Sequence, residues 1–261
     1  MKALLKILFI ISMVFVFLSS CSNDKDDTSK FFRKTIEITE DGTSTTTLFE
    51  YDKYNINQIV SSDSPKKHID YTYKEGLISK IVINDKETQL SVTLDYTYSN
   101  KKLLRMNSSD HYVINYTHNA DGTVSYEKLT LDSQNQETKV FHGTLYFENK
   151  NLIKDERILD DTAPGILVVK KISFEYDTQK NPFRSILGYD KLLDHNEAVS
   201  MNNNVIASLE NTETDTKEDR VISSIKLCQN VYKYDANGYP VEMVYETSIS
   251  NPNYLKTQYF Y

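Results

Sequence analysis

Aromatic and polar positions alternate along most of this chain, and one arrangement recurs. An aromatic-x-aromatic triplet runs into a short polar turn, and an apolar residue then opens a second run. It is seen in FEYDKYNINQIV (49–60), YTYKEGLISKIV (71–82), YTYSNKKLLRM (96–106), LYFENKNLIKDERI (145–158), FEYDTQKNPFRSI (174–186) and YKYDANGYPVEMV (232–244). A looser copy spans 114–129, and the chain stops on Tyr259-Phe260-Tyr261. Residues two apart point to the same face of a strand, so each triplet places two rings side by side. Continued alternation puts Leu77, Ser79, Ile81 and Ile83 on one face, and likewise Tyr239, Val241, Met243 and Tyr245. The short intervening segments, rich in Asn, Asp, Lys and Gly, read as hairpin loops.

The second aromatics recur every few tens of residues except between Tyr176 and Tyr234. That longer gap holds SILGYDKLLDHNEAVS (185–200), where Ile186, Tyr189, Leu192 and Leu193 would share a helical face. Asn202-Asn203-Asn204 then reads as a turn before a strand from Val205. The expected fold is all-β. It is a long curled antiparallel β-meander of about 14–16 strands built from seven or eight hairpins. One helical insertion near 185–200 would pack on its concave face, and a two-sheet β-sandwich is the alternative.

The amino terminus follows another pattern. Lys2 and Lys6 precede Ile7–Leu18, twelve residues in which Ser12 is the only polar one. That run is too short for a spanning helix and suits a signal-peptide core. Leu18-Ser19-Ser20-Cys21 resembles the bacterial lipobox, which implies lipidation at Cys21 and loss of residues 1–20. The organisation expected is a signal peptide (1–20), a lipidated cysteine with a flexible acidic tether (21–33), and a single repeat-built β domain (34–261). Asp24, Asp26 and Asp27 close behind the cysteine resemble the surface-export signal of Bacteroidota lipoproteins. The expectation is an outer-membrane lipoprotein, exposed at the cell surface and held by the lipid on Cys21.

Composition narrows the function. The chain has 261 residues, 39% of them hydrophobic, with 19 tyrosines, 11 phenylalanines and no tryptophan. That is too patterned for disorder and too polar for a bundle of membrane helices. A net charge of −7 argues against nucleic acid as a partner. With Cys21 committed to lipid, Cys228 stands alone in an apparent strand and reads as a small buried hydrophobe rather than a reactive thiol. Only seven glycines are available, so many turns must use Asn or Asp.

The YKYDANGYP unit resembles YD-repeats, through Tyr234, Asp235, Gly238, Tyr239 and Pro240. Together with Tyr176, Asp177, Asn181, Pro182, Phe183, Asn203, Asn204 and Val205, it makes residues 34–261 similar to repeat-containing cell-surface lipoproteins of unknown function common in Bacteroidota. The resemblance implies a surface lipoprotein and names no activity.

No metalloprotease, nucleophile-elbow, Walker, CxxC or Rossmann pattern occurs. His68, His111, His118, His142 and His195 are scattered. Asn119–Gly122 and Asp235–Gly238 look like fragments of calcium loops but lack the downstream glutamate, and hairpin turns account for both. Glu210, Glu213, Asp215, Glu218 and Asp219 read as a solvated loop rather than a metal cluster. No metal and no cofactor is expected. Asp161-Thr162-Ala163 resembles the Bacteroidota O-glycosylation sequon, which makes Thr162 a candidate glycosylation site. Tyr51, Tyr73, Tyr98, Tyr176 and Tyr234 form a candidate aromatic ladder, serving the core or, alternatively, a sugar-stacking strip.

The reading is a non-catalytic binding or interaction module, with a glycan or protein partner left open. The alternatives are a glycan-processing enzyme whose carboxylates the fold assembles, or a carrier of an apolar ligand in the concave sheet.

Overall fold

The computed structural model describes residues 30–134, 136–195, 199–247 and 255–261. Its strands run in chain order as hairpins: β1 (Lys34–Thr39) and β2 (Ser44–Tyr51), β3 (Ile59–Asp63) and β4 (Lys67–Lys74). Next come β5 (Leu77–Asp85), β6 (Ser91–Ser99), β7 (Lys102–Ser108), β8 (Tyr112–His118), β9 (Val124–Leu131) and β10 (Glu137–Glu148). The last are β11 (Asn151–Leu159), β12 (Ile166–Lys180), β13 (Asn202–Asp215), β14 (Arg220–Tyr234), β15 (Pro240–Thr247) and β16 (Leu255–Phe260). Every strand pairs antiparallel with its sequence neighbours, and β1 pairs with β16, placing Lys34 opposite Phe260 and Ile38 opposite Lys256.

The sheet therefore closes into a sixteen-stranded barrel. This corrects the open meander and the two-sheet sandwich alike. Closure removes both unpaired edges, which a meander of this length would leave to aggregate.

A register irregularity recurs at the second aromatic of the repeat. Register shifts fall between Glu50 and Tyr51, Thr72 and Tyr73, Thr97 and Tyr98, Tyr146 and Phe147, Glu175 and Tyr176, and Lys233 and Tyr234. The partner strand contributes the extra residue: Val60, Ser79, Leu104, Ile153, Val205 and Val241 respectively. A bulge reverses the alternation beyond it. Ile78 and Ile81 are consequently both buried, so the expected shared face of Leu77, Ser79, Ile81 and Ile83 is wrong by one residue at its start. Val241, likewise, is a bulge residue.

A bulge also leaves backbone groups outside the ladder, and a buried carbonyl without a partner is costly. Here the next hairpin supplies one. The Tyr98 hydroxyl donates to the Ile78 carbonyl at 2.8 Å, Tyr176 to Leu152 at 2.6 Å, and Tyr261 to Pro240 at 3.0 Å. His118 takes the same place on Leu103, and Tyr51 caps the Phe32 carbonyl ahead of β1. The aromatic repeat is thus a bulge together with its cap.

Sixteen strands enclose more space than wall side chains fill, since about eight already close over a filled interior. The segment joining β12 to β13 folds into that space. Phe183, Ile186, Tyr189, Leu192, Leu193 and Val199 pack against Phe32, Ile78, Leu94 and Tyr96 of the inner wall. The expected helix over 185–200 is absent from the described residues. Successive i to i+3 bonds make a chain of turns, with one 3-10 turn at Tyr189–Lys191. Gly188 explains the break: its φ is 76°, and a Cβ there would lie 3.0 Å from the Ile78 amide nitrogen. The apolar spacing seen in the sequence is that of a plug.

Packing also reaches back before β1. Phe32 is fully buried among Phe49, Phe183, Tyr259 and Tyr261, and Lys30 pairs with Asp235 at 2.6 Å.

Candidate ligand-binding lumen

The plug fills the lumen beside β3–β11 and leaves the side formed by β1, β2 and β12–β16 open. A cavity of about 630 Å³ remains there. Its lining alternates with the outward residues of those strands: Phe49 on β2, Ile172, Phe174 and Tyr176 on β12, Ala207 and Leu209 on β13. Cys228 and Tyr232 follow on β14, Met243 and Tyr245 on β15, Leu255 and Tyr259 on β16, with Pro182 and Phe183 of the plug as its floor. This volume lies in the range of small-molecule sites, which are mostly apolar with a few placed polar groups.

The polar groups are amides, hydroxyls and one carboxylate, that of Glu37. Asparagines fix the point where the plug re-enters the wall. Asn151 accepts from the backbone amides of Met201 and Asn202 at 2.9 and 3.0 Å. Asn203, 2% exposed, donates to the Lys180 carbonyl at 3.2 Å, and Asp177 accepts from its backbone amide at 3.1 Å. The Tyr234 hydroxyl donates to the same Asp177 carboxylate. The Asn202–Asn204 run expected as a turn is therefore the first stretch of β13, locked side chain to backbone. Asn230 reaches across to the Asn204 carbonyl at 3.0 Å and holds the adjacent wall.

The five ladder tyrosines all belong to this barrel and occupy its inner side near the plugged end. They form two separate groups, Tyr51, Tyr73 and Tyr98 on β2, β4 and β6, and Tyr176 and Tyr234 on β12 and β14. Neighbours inside each group are about two strand spacings apart, near 10 Å, and six strand spacings separate Tyr98 from Tyr176. The intervening places belong to Ile59, Ile78 and Leu103, each opposite a ladder ring. Burial raises the hydroxyl pKa of all five, Tyr176 to about 12. They are protonated at neutral pH, and Tyr51, Tyr98, Tyr176 and Tyr234 donate hydrogen bonds. The Tyr73 hydroxyl is buried without a hydrogen-bond partner, whereas Tyr176 both caps Leu152 and borders the cavity. Tyr51, Tyr73 and Tyr98 pack against the hydrophobic core, and Tyr176 faces the cavity.

Other candidates are placed as follows. Cys228 is a buried free thiol in the cavity wall and takes a hydrogen bond from Tyr245 at 3.2 Å. Thr162 lies in the β11–β12 loop and donates to the Ile166 carbonyl at 2.8 Å. Cys21 lies outside the described residues. Asp121 accepts from Thr123, and Asp235 accepts the backbone amides of Asn237 and Tyr239, so both carboxylates serve their turns. His68 lies between Asp63 and Asp70, and His142 meets Asp160, on separate parts of the surface. Among the described residues no three His, Cys, Asp or Glu side chains come together as a metal site.

One cluster was not anticipated. Asp155, 1% exposed at its side chain, accepts from the Tyr126 hydroxyl and pairs with Arg157, whose guanidinium lies 5.1 Å from the Phe141 ring centroid. The run NLIKDERIL carried the signal: Asp155 and Arg157 share the inner face of β11 with Leu159, where hydrophobic residues are the rule.

The outer face carries ion pairs around most of the barrel and apolar positions on part of it. Lys80 pairs with Asp95 across β5 and β6, and Lys171 with Glu210 across β12 and β13. Arg105, Asn115, Glu127 and Lys139 form a chain across β7 to β10, and Glu242 sits between Lys233 and Lys256. Exposed apolar residues stand on the same face: Val221, Ile225, Leu227 and Val231 on β14, with Leu48 on β2, Leu167 on β12 and Phe260 on β16. A barrel spanning a bilayer carries a continuous apolar outer band, which these ion pairs interrupt.

No protein-family model and no curated protein matches this chain. Solved structures do. A porin-like protein from Bacteroides vulgatus is 12% identical with a TM-score of 0.57, and the match covers 88% of this chain and 98% of that one. A porin-like protein from Bacteroides uniformis is 10% identical with a TM-score of 0.50 and the same coverages. At such identities the likeness is one of fold: this chain has the closed barrel architecture found in these Bacteroides porin-like proteins.

Proposed function

We propose that this chain is a non-catalytic binding lipoprotein of the outer membrane, whose barrel stands in water and takes a predominantly apolar ligand into its lumen. The ion-paired outer wall carries the reading. Inserting this outer face into a bilayer would place lysines and arginines in hydrocarbon at about 2–4 kcal/mol each near the midplane. The lumen, in contrast, offers aromatic and aliphatic walls around the cavity. Lipidation at Cys21 would supply the membrane link that the barrel wall does not, and the acidic residues behind it fit surface export. The Bacteroides porin-like neighbours agree with an outer-membrane setting. Among the alternatives the lumen favours the apolar carrier. A glycan-processing site would need a second carboxylate facing Glu37, and among the described residues Glu37 is the acid lining the cavity.

Titration of residues 22–261 with the apolar dye N-phenyl-1-naphthylamine tests this. Saturable 1:1 binding that Ala207→Trp abolishes, with the fold intact by circular dichroism, is the expected result. Binding that survives the filled lumen would place the dye elsewhere and refute the carrier.

A further inference from the structure

Beyond the cavity the lumen carries charge of both signs. Lys170 and Lys226 stand next to the cavity, and Glu213 and Asp215, inward by the parity of Ala207 and Leu209, lie farther toward the β13–β14 hairpin. On β12 and β13 no register shift interrupts residues 166–175, so Lys170 faces inward with Ile172 and Phe174, both of which line the cavity. On β14 the same parity turns Lys226 inward with Cys228 and Asn230. Lys226 lies directly opposite Leu209, which itself lies opposite Ile172, so its ammonium belongs to the cavity's own rim row. Lys170 lies directly opposite Arg157, which already holds Asp155. Neither Lys170 nor Lys226 has a carboxylate partner among the described residues, whereas the outward Lys80, Lys139, Lys171 and Lys233 all do.

We infer that the lumen binds an amphipathic anion, with an apolar chain in the cavity and a carboxylate or phosphate head held by Lys226 and Lys170. This deepens the lumenal-carrier reading and rests on it. Two cations beside an apolar cavity, without a carboxylate partner among the described residues, offer an anionic head charge-assisted hydrogen bonds. Glu37 lies on the β1 wall, away from these lysines around the barrel, and repels an anion from that side. Orientation follows: the chain points toward the plug and the head toward the β11–β14 wall at the opposite end.

The test uses residues 22–261 with three probes of equal chain length: palmitate, 1-hexadecanol and 1-palmitoyl lysophosphatidic acid. Each is measured by displacement of the bound dye. Palmitate or the lysophosphatidate should bind at least about tenfold more tightly than the alcohol, tenfold being about 1.4 kcal/mol. The Lys170→Met, Lys226→Met double variant should erase that preference while leaving hexadecanol within about twofold. Which anion binds more tightly distinguishes a free fatty acid from a phosphate-headed lipid. Equal affinities for acid and alcohol, or a preference that survives the double variant, would overturn the anion assignment while sparing the lumenal site. Failure of all three probes to displace the dye would reject the assignment as well, and dye binding that persists in Ala207→Trp would reject the lumenal site itself.

Discussion

Replacing Tyr98 by Phe removes one oxygen and nothing else from the core. The Ile78 carbonyl, freed from the ladder by the bulge at Ser79, then loses the 2.8 Å hydrogen bond that satisfies it. Leaving such a group unpaired costs about 1–3 kcal/mol, whereas an ordinary exposed hydroxyl costs almost nothing to remove. For a domain of this size each kcal/mol lowers Tm by about 2–4 °C, so a fall of several degrees is expected. Tyr176→Phe should cost more, because its hydroxyl caps Leu152 and also accepts from Ser200, which in turn accepts the Leu152 amide. Tyr73→Phe is the internal control. Its hydroxyl is buried without a closed hydrogen bond, so the variant should be neutral or slightly more stable. Thermal melts followed by far-ultraviolet circular dichroism on the three variants read this directly. Equal losses in Tyr98→Phe and Tyr73→Phe, or no loss in the former, would show that the phenols merely fill space and that bulge capping is not the logic of the repeat.

Gly188→Ala should cost about 2 kcal/mol or more, from a left-handed φ and a Cβ forced onto the Ile78 backbone, and should loosen the plug; an unchanged Tm would contradict that. Glu242, hydrogen-bonded by Lys233 and Lys256, has its pKa lowered to about 2, so its contribution is complete above its unfolded value near 4.5 and fades as pH falls toward 2. The stability gap between wild type and Glu242→Gln should accordingly close between pH 4.5 and 2, and a gap independent of pH would refute the pairing. Cys21→Ala in the full chain should move the protein from the detergent phase to the aqueous phase; unchanged partition would remove the anchor.

Hairpin succession was legible in the sequence because each aromatic triplet and turn is a local signal. Closure was not, because the pairing of β1 with β16 joins residues more than two hundred positions apart, and no turn announces it. The bulges were hidden for a related reason: alternation reads the same until burial shows that Ile78, not Ser79, faces inward. Ile186, Tyr189, Leu192 and Leu193 were correctly apolar as a set, but Gly188 and contact with β5 fold them as turns within the lumen rather than as a helix against a sheet. The cavity had no sequence signature at all. Its lining comes from seven strands, each contributing two to four residues that read simply as the buried half of an alternating strand.

Sedimentation velocity of residues 22–261 purified without any detergent tests the barrel standing in water most directly. An outer wall interrupted by ion pairs and a plugged lumen predict a compact, folded monomer that stays in solution and leaves added lipid vesicles without ion conductance. A chain that aggregates unless detergent is present, and that inserts into vesicles and conducts ions once it is, would contradict the account.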